Sequence, residues 1–161
     1  MSYHLRRHDR AIADRQAMQR IIQQNRCAVM ALCRDNEPYI VTLDYGYDAA
    51  ENALYFHCAK EGKKINFIKA NPAACATVID DDDPDSILCD HEHRSVVLSG
   101  TVELVDSREE TDRAINLMIE QLEKGNPERF RKKLNMNEKS YVNLQILKMT
   151  VKEMTGKERV Y

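Results

Sequence analysis

The residues best suited to chemistry lie between Phe56 and Pro72, in the run FHCAKEGKKINFIKANP. The apolar stretch Ala53–Phe56 leads the backbone to His57, Cys58 and Ala59, and a charged turn, Lys60-Glu61-Gly62, follows. Lys63 and Lys64 then open a segment in which Ile65, Phe67 and Ile68 supply the apolar side of a helix, and Asn71-Pro72 ends it. A helix start leaves its first N–H groups without partners and carries the positive end of the helix dipole, so it attracts anions. Two lysines there add full charge. The chemistry indicated is a phosphate held at Lys63 and Lys64, with the rest of the ligand lying back along the strand toward His57. An imidazole titrates near neutral pH, so His57 is a candidate proton donor beside such a ligand. A strand, a turn and a helix with solvated lysines would use the same residue types, and both readings stay open on spacing alone.

Other clusters are weaker. In Cys89-Asp90-His91-Glu92-His93, an extended backbone would project Cys89, His91 and His93 to one face, and Cys and His are common zinc ligands. No fourth ligand stands at a recognisable spacing, so this set is only an alternative and no metal site is assigned. The acidic run Asp80–Asp83 with Asp85 lacks the alternation and central glycine of a calcium loop and reads as a solvated loop. Cys27, Cys33, Cys58, Cys75 and Cys89 are an odd set without paired spacing. Free thiols, with no apolar leader at the N-terminus, predict a reducing, cytoplasmic setting. A net charge of −2 gives no general draw toward nucleic acid or membrane surfaces, and no apolar run is long enough to span a bilayer. The arginines and histidines of the first ten residues read as a solvated arm.

The elements that must position Phe56–Pro72 follow from periodicity. Asp14 caps a helix over Arg15–Gln24 with Met18, Ile21 and Ile22 on its buried stripe, suited to cover one end of a barrel. Strands are predicted at Cys27–Cys33, Tyr39–Tyr45, Ala53–Cys58, Ala73–Asp80 and Arg94–Val105, and in the region Tyr141–Met154. Asp35-Asn36-Glu37-Pro38 is hairpin-turn chemistry, and short turns between successive strands argue antiparallel pairing. Gly100 inside the fifth strand predicts a bulge or bend. In the sixth, Lys148, Thr150 and Lys152 alternate with Met149 and Val151 as on a strand with one wet face. Ser107-Arg108-Glu109-Glu110 has capping-box form before a helix that stops near Gly125, and Asn126-Pro127 starts another to about Lys133. The prediction is one mainly β (α+β) domain over 1–161, with its N-terminal arm and helix in about 1–25. Its core is a six-stranded antiparallel split β-barrel with peripheral helices.

The segments PYIVTLDYGYD, LYFHCAKEGKKINFIKANP, RSVVLSGTVELV and MTVKEMTGK, in that order and spacing, resemble the pyridoxamine 5′-phosphate oxidase-like split-barrel flavoproteins, and within them the nitroimidazole-resistance branch. The similarity runs from about Arg6 to Lys157. It implies FMN, with FAD as the other candidate. Val41, Thr42 and Leu43 would lie along the flavin ring, with main-chain groups bonding its edge. His57, Cys58 and Ala59 would border the cofactor. Lys63 and Lys64 would hold its phosphate, with Gly62 allowing close approach of the backbone, and Ser95 would reach the cofactor from the long strand. It further implies a homodimer with flavin at the interface, and a catalytic part for His57. Two features depart from the family pattern: His93 stands where an aromatic usually precedes the RSV segment, and the phosphate pair is Lys-Lys rather than Arg-Lys. No substrate-phosphate arginines are identifiable near the C-terminus. The resemblance therefore implies flavin binding rather than vitamin B6 oxidation, with an FMN-dependent oxidoreductase acting on small, nitroaromatic-like molecules as the leading expectation. A non-catalytic flavin- or haem-binding module is the alternative.

Overall fold

Two long strands, Glu37–Asp48 and Leu144–Arg159, set the shape of the sheet, and the second is long enough to pair with three others. The computed structural model describes residues 6–81, 93–133 and 141–159. Its strands are β1 (Ala11–Ile12), β2 (Cys27–Arg34), β3 (Glu37–Asp48), β4 (Ala53–Ala59), β5 (Ala73–Asp80), β6 (His93–Val105) and β7 (Leu144–Arg159). Its helices are α1 (Arg15–Gln24), α2 (Lys63–Ala70), α3 (Arg108–Leu122) and α4 (Pro127–Lys133). All pairings are antiparallel, in the order β1-β7-β4-β3-β2-β5-β6, and β7 also pairs with β6. Six strands thus close into a ring, and β1 adds a short edge on β7. The predicted six-stranded barrel is therefore present, with a seventh strand too short for any periodicity to reveal.

Local chemistry explains the joints. Asp35 and Asn36 both take positive φ, as a two-residue hairpin between β2 and β3 requires. The β6–β7 ladder shifts register between Ser99 and Gly100, where a bulge was predicted. Asp14 accepts from the Gln16 amide at 2.9 Å and Ser107 from the Glu110 amide at 3.3 Å, so both N-caps form, while the Glu110 carboxylate of the predicted capping box accepts from Tyr55 and Lys148.

The barrel interior is filled by Met30, Tyr45, Leu54, Phe56, Val78, Leu98, Leu147 and Met149, all essentially inaccessible. Each such side chain contributes roughly 1.5–3 kcal/mol by leaving water. Helix α1 adds Met18, Ile21 and Ile22 to this cluster and covers one end. At that end the Tyr45 hydroxyl donates to Ile22 O at 2.5 Å. Helix α2 packs near the β2–β3 hairpin, with Phe67 against Tyr39 and under Arg34.

Helix α3 lies outside the barrel over a second cluster, Ala53, Tyr55, Val105, Ala114, Met118 and Ile146. Its docking is fixed by polar groups. Gln121 accepts from the Tyr47 amide at 2.9 Å and donates to Ile22 O and Asn25 O at 2.9 and 2.8 Å. Arg113 pairs with Asp48 and Glu51, and Lys148 lies 3.0 Å from Glu51 and 2.9 Å from Glu110. This corrects the reading of Lys148 as one of a wet face: its side chain is only 18% exposed and sits in a charge network beside α3. The last strand also begins later and runs further than the alternation indicated, from Leu144 to Arg159, because its polar end is paired to β6 and β1. No helix among the described residues is long and apolar enough to cross a membrane.

Candidate functional site

The barrel is split between β3 and β4. They pair from Tyr45↔Phe56 to Asp48↔Ala53, and before Tyr45 they part. Residues 37–44 of β3 continue to pair with β2, while His57–Ala59 of β4 pair only with β7. Among the described residues no strand occupies the facing edges. The Tyr45 amide donates to Arg26 O at 3.2 Å, and ladder direction alternates along an antiparallel strand. Tyr39, Val41 and Leu43 therefore direct their main-chain groups to β2, and Pro38, Ile40, Thr42 and Asp44 direct theirs into the gap. Pro38 fits this edge because its missing N–H would have had no partner there. On the opposite edge, the same alternation turns the main-chain groups of His57 and Ala59 into the gap.

The expected ring-binding strand is thus resolved into two roles. Val41 and Leu43 spend their main-chain groups on β2 and pack their side chains against the core. Thr42 alone of the three presents N–H and C=O to the opening.

The far end of the gap is bridged by Lys63, whose Nζ lies 2.6 Å from Glu37 Oε1 and 5.2 Å from the centroids of the Tyr39 and Phe67 rings. The pair holds the Glu37 carboxyl below its ordinary range. Lys64 differs. It is half-buried, forms no ion pair among the described residues, and stands near enough to Cys58 to oppose the rise that burial imposes on that thiol. Gly62 caps the helix with φ of +130°, a conformation that side-chain-bearing residues avoid, and a Cβ there would meet nothing within 4 Å. The space in front of the α2 N-terminus is open, and no side chain caps it.

His57 and Ala59 are exposed and Cys58 is turned inward. His57, Asp44 and Arg26 form one end of an outer groove of about 420 Å³ whose apolar wall comes from α3 and α4. Sequence reasoning missed this groove, because its lining is drawn from separate segments whose apolar residues served equally well as core. Asp44 accepts from the Cys27 thiol at 3.0 Å, which pushes that thiol up.

Ser95 is not brought to this gap within the subunit. It pairs with Ile79 and Lys157, and β2 and β5 stand between its strand and β3. Of the alternative metal set, Cys89 and His91 lie outside the described residues, as do Asp82, Asp83 and Asp85 of the acidic run, and His93 begins β6. No cluster of metal-binding side chains occurs among the described residues.

One uncharged surface borders the gap. Thr42, Val29, Thr77 and Val97 form a row across β3, β2, β5 and β6, and Ile40, Ala31, Cys75 and Ser99 form the next. Ile40 is 67% exposed, Ile79 53% and Val97 41%.

Residues 14–158 match the profile of a protein family described as pyridoxamine 5′-phosphate oxidase. A comparison with curated proteins found no match. Among solved structures, the chain is similar to a proposed 5-nitroimidazole antibiotic resistance protein of Bacteroides thetaiotaomicron, at 23% identity and a TM-score of 0.77 over 97% of this chain and 96% of that one. It is similar to an FAD-binding protein of Mesorhizobium loti, at 22% identity and 0.69 over 94% and 98%. It is also similar to the flavocytochrome Anf3 of Azotobacter vinelandii, at 16% identity and 0.81 over 99% and 73%. At these identities the likeness is one of fold.

Proposed function

The chain belongs to the pyridoxamine 5′-phosphate oxidase family, and from that membership we propose that it is a flavin-binding oxidoreductase whose cofactor lies along the gap between β3 and β4. The observation that carries this reading is the free edge of β3 facing an uncapped helix start. A flat heteroaromatic ring with alternating donors and acceptors needs main-chain groups not already spent in a ladder, and Thr42 offers both kinds. A phosphate needs free N–H groups and a cation, and the α2 start offers the first and Lys64 the second. The residues fit the group on both counts. Fold relatives that include an FAD-binding protein and a flavocytochrome support the cofactor class, and FMN is the form that suits a single phosphate site.

When bound, the flavin supplies the electron chemistry. The chain's own residues orient it and keep water from its faces. Thr42 holds the ring edge, Lys64 holds the phosphate, and Lys63 braces the opening through Glu37. His57 and Ala59 border the cofactor from β4, and His57 stands where it can deliver a proton to a small substrate lying in the outer groove. Cys58 packs inward and takes no part in bond-making.

The working unit is a homodimer formed through the uncharged β3-β2-β5-β6 face. Large exposed apolar side chains without interspersed charge are what an obligate interface requires. Ser95 lies at the border of this face, so its part in the site depends on the partner.

The test is spectral. The purified protein should be yellow and release FMN on denaturation, identified by mass. The bound flavin should bleach under anaerobic NADH or NADPH and recover on adding a nitroaromatic or quinone acceptor. A colourless protein that fails to take up added FMN or FAD would overturn the flavin reading, and a Soret band without flavin would replace it with haem. Bound flavin that no donor reduces would leave a binding module without turnover.

A further inference from the structure

We propose that the outer groove beneath α3 is the recognition site for an uncharged, hydroxylated aromatic compound of two fused rings' size. Its volume, about 420 Å³, is in the range of sites that enclose small organic ligands. The long wall is apolar, made by Ile115, Met118 and Leu122 of α3 with Phe130 of α4. Phe130 is 36% exposed, so part of its ring is open to a ligand. Its helix is held in place by Arg131, which donates to Asn116 at 3.2 Å and to Glu120 at 3.0 Å on α3 and lies 2.5 Å from Glu128. These contacts join α4 to α3, so the two helices share the wall.

The short end of the groove is polar. Arg26, Asp44 and His57 meet there, and Glu123 stands at the rim. Arg26 offsets Asp44, and Glu123 leaves the lining without a pull on anions. It presents donors and acceptors together, which suits a hydroxyl or carbonyl at one edge of a ring. Because His57 also borders the β3–β4 gap, a ring seated in the groove would have its polar edge directed at the cofactor. The assignment rests on the flavin reading only for what then becomes of the bound ring.

The probe is 2-naphthol, titrated by calorimetry into the flavin-loaded protein, with flavin content read separately by absorbance. Saturable binding of one molecule per subunit is expected. Leu122→Trp, which fills the groove, should weaken it at least tenfold, and Phe130→Ala, at an exposed position that leaves the core intact, should weaken it about fivefold. Flavin content should be unchanged in both. Naphthalene-2-sulfonate should bind no more tightly than the naphthol. The proposal is overturned if 2-naphthol shows no saturable binding, if both variants bind as the parent does, or if the sulfonate is strongly preferred. It is also overturned if Leu122→Trp expels flavin or splits the dimer, which would give the groove to the cofactor or to a partner. Binding by a protein that takes up neither added FMN nor FAD would support the groove while refuting the flavin reading.

Discussion

Gly46 of β3 and Met118 of α3 meet backbone to backbone: a Cβ built on the glycine would stand 2.5 Å from the Met118 amide nitrogen. This contact presses α3 onto the sheet at the point where β3 leaves its pairing with β4. A methyl there cannot be absorbed by a flexible side chain, because the opposing atoms are main chain. Gly46→Ala should therefore destabilise the protein by about 1–3 kcal/mol, the usual cost of overpacking, or displace α3 outward. Urea denaturation measures the first, and loss of 2-naphthol binding with retained flavin measures the second. An unchanged midpoint with unchanged binding would show that α3 is not held by this contact.

The two lysines of the α2 start should separate in their effects. Lys64 has no carboxylate partner among the described residues, whereas Lys63 is engaged with Glu37. Lys64→Ala should weaken FMN by roughly tenfold or more, about 1.4 kcal/mol, and leave riboflavin affinity almost unchanged. Lys63→Ala should cost FMN less and should weaken riboflavin to a similar degree, since it loosens the opening. Fluorescence titration of the apo-protein with both ligands distinguishes them. Equal losses of FMN and riboflavin in Lys64→Ala would show that Lys64 does not read the phosphate.

Acid should weaken the docking of α3. Arg113 and Lys148 hold Glu51 down at about 2, against an unfolded value near 4.5, and Lys148 also holds Glu110 below its ordinary range. Asp48 is lowered too: burial acts to raise it, but the Glu51 amide and Arg113 outweigh burial. Groups with depressed folded values contribute stability that is complete above the unfolded value and is lost as pH falls toward the folded one. Stability to urea should thus be level near neutrality and fall steadily from about pH 4.5 toward pH 2. Lys148→Met should cost on the order of 1–2 kcal/mol at pH 7, by leaving two carboxylates without their shared cation, and should flatten the acid slope. A slope identical to the parent's would place the acid sensitivity elsewhere.

The uncharged face should set the oligomeric state. Val97→Lys places a charge in the row with Thr42, Val29 and Thr77. The variant should run as a monomer by light scattering, keep the parent's circular dichroism, and retain flavin poorly on dilution. A variant that stays dimeric would move the interface to another surface.

Much of this architecture is legible in the residues themselves. The Gly100 bulge, the Asp35-Asn36 turn, and the caps at Asp14 and Ser107 are local signals, and each is expressed locally. Lys148 was misread because alternation reports which residues share a face, and cannot report that a helix remote in sequence will cover that face with compensating carboxylates. The two roles within Val41–Leu43 were equally hidden. Which residue of a strand directs its main chain to an open edge depends on register with β2, and Thr42 is marked by nothing in its side chain. The expectation for Ser95 comes from the family resemblance of its segment, and within one subunit the order of the sheet puts β2 and β5 between it and the gap.

The placement of β7 governs how the chain can reach this state. The ring is closed by a strand that pairs with β4 at Leu54↔Met149 and with β6 at Val102↔Met149, so one residue is flanked by segments that arise far apart in time during synthesis. Until Leu144–Arg159 emerges, β4 and β6 present two unpaired edges, and contacts so distant in sequence form slowly. The nascent protein should therefore pass through an aggregation-prone interval that ends only when its last strand docks.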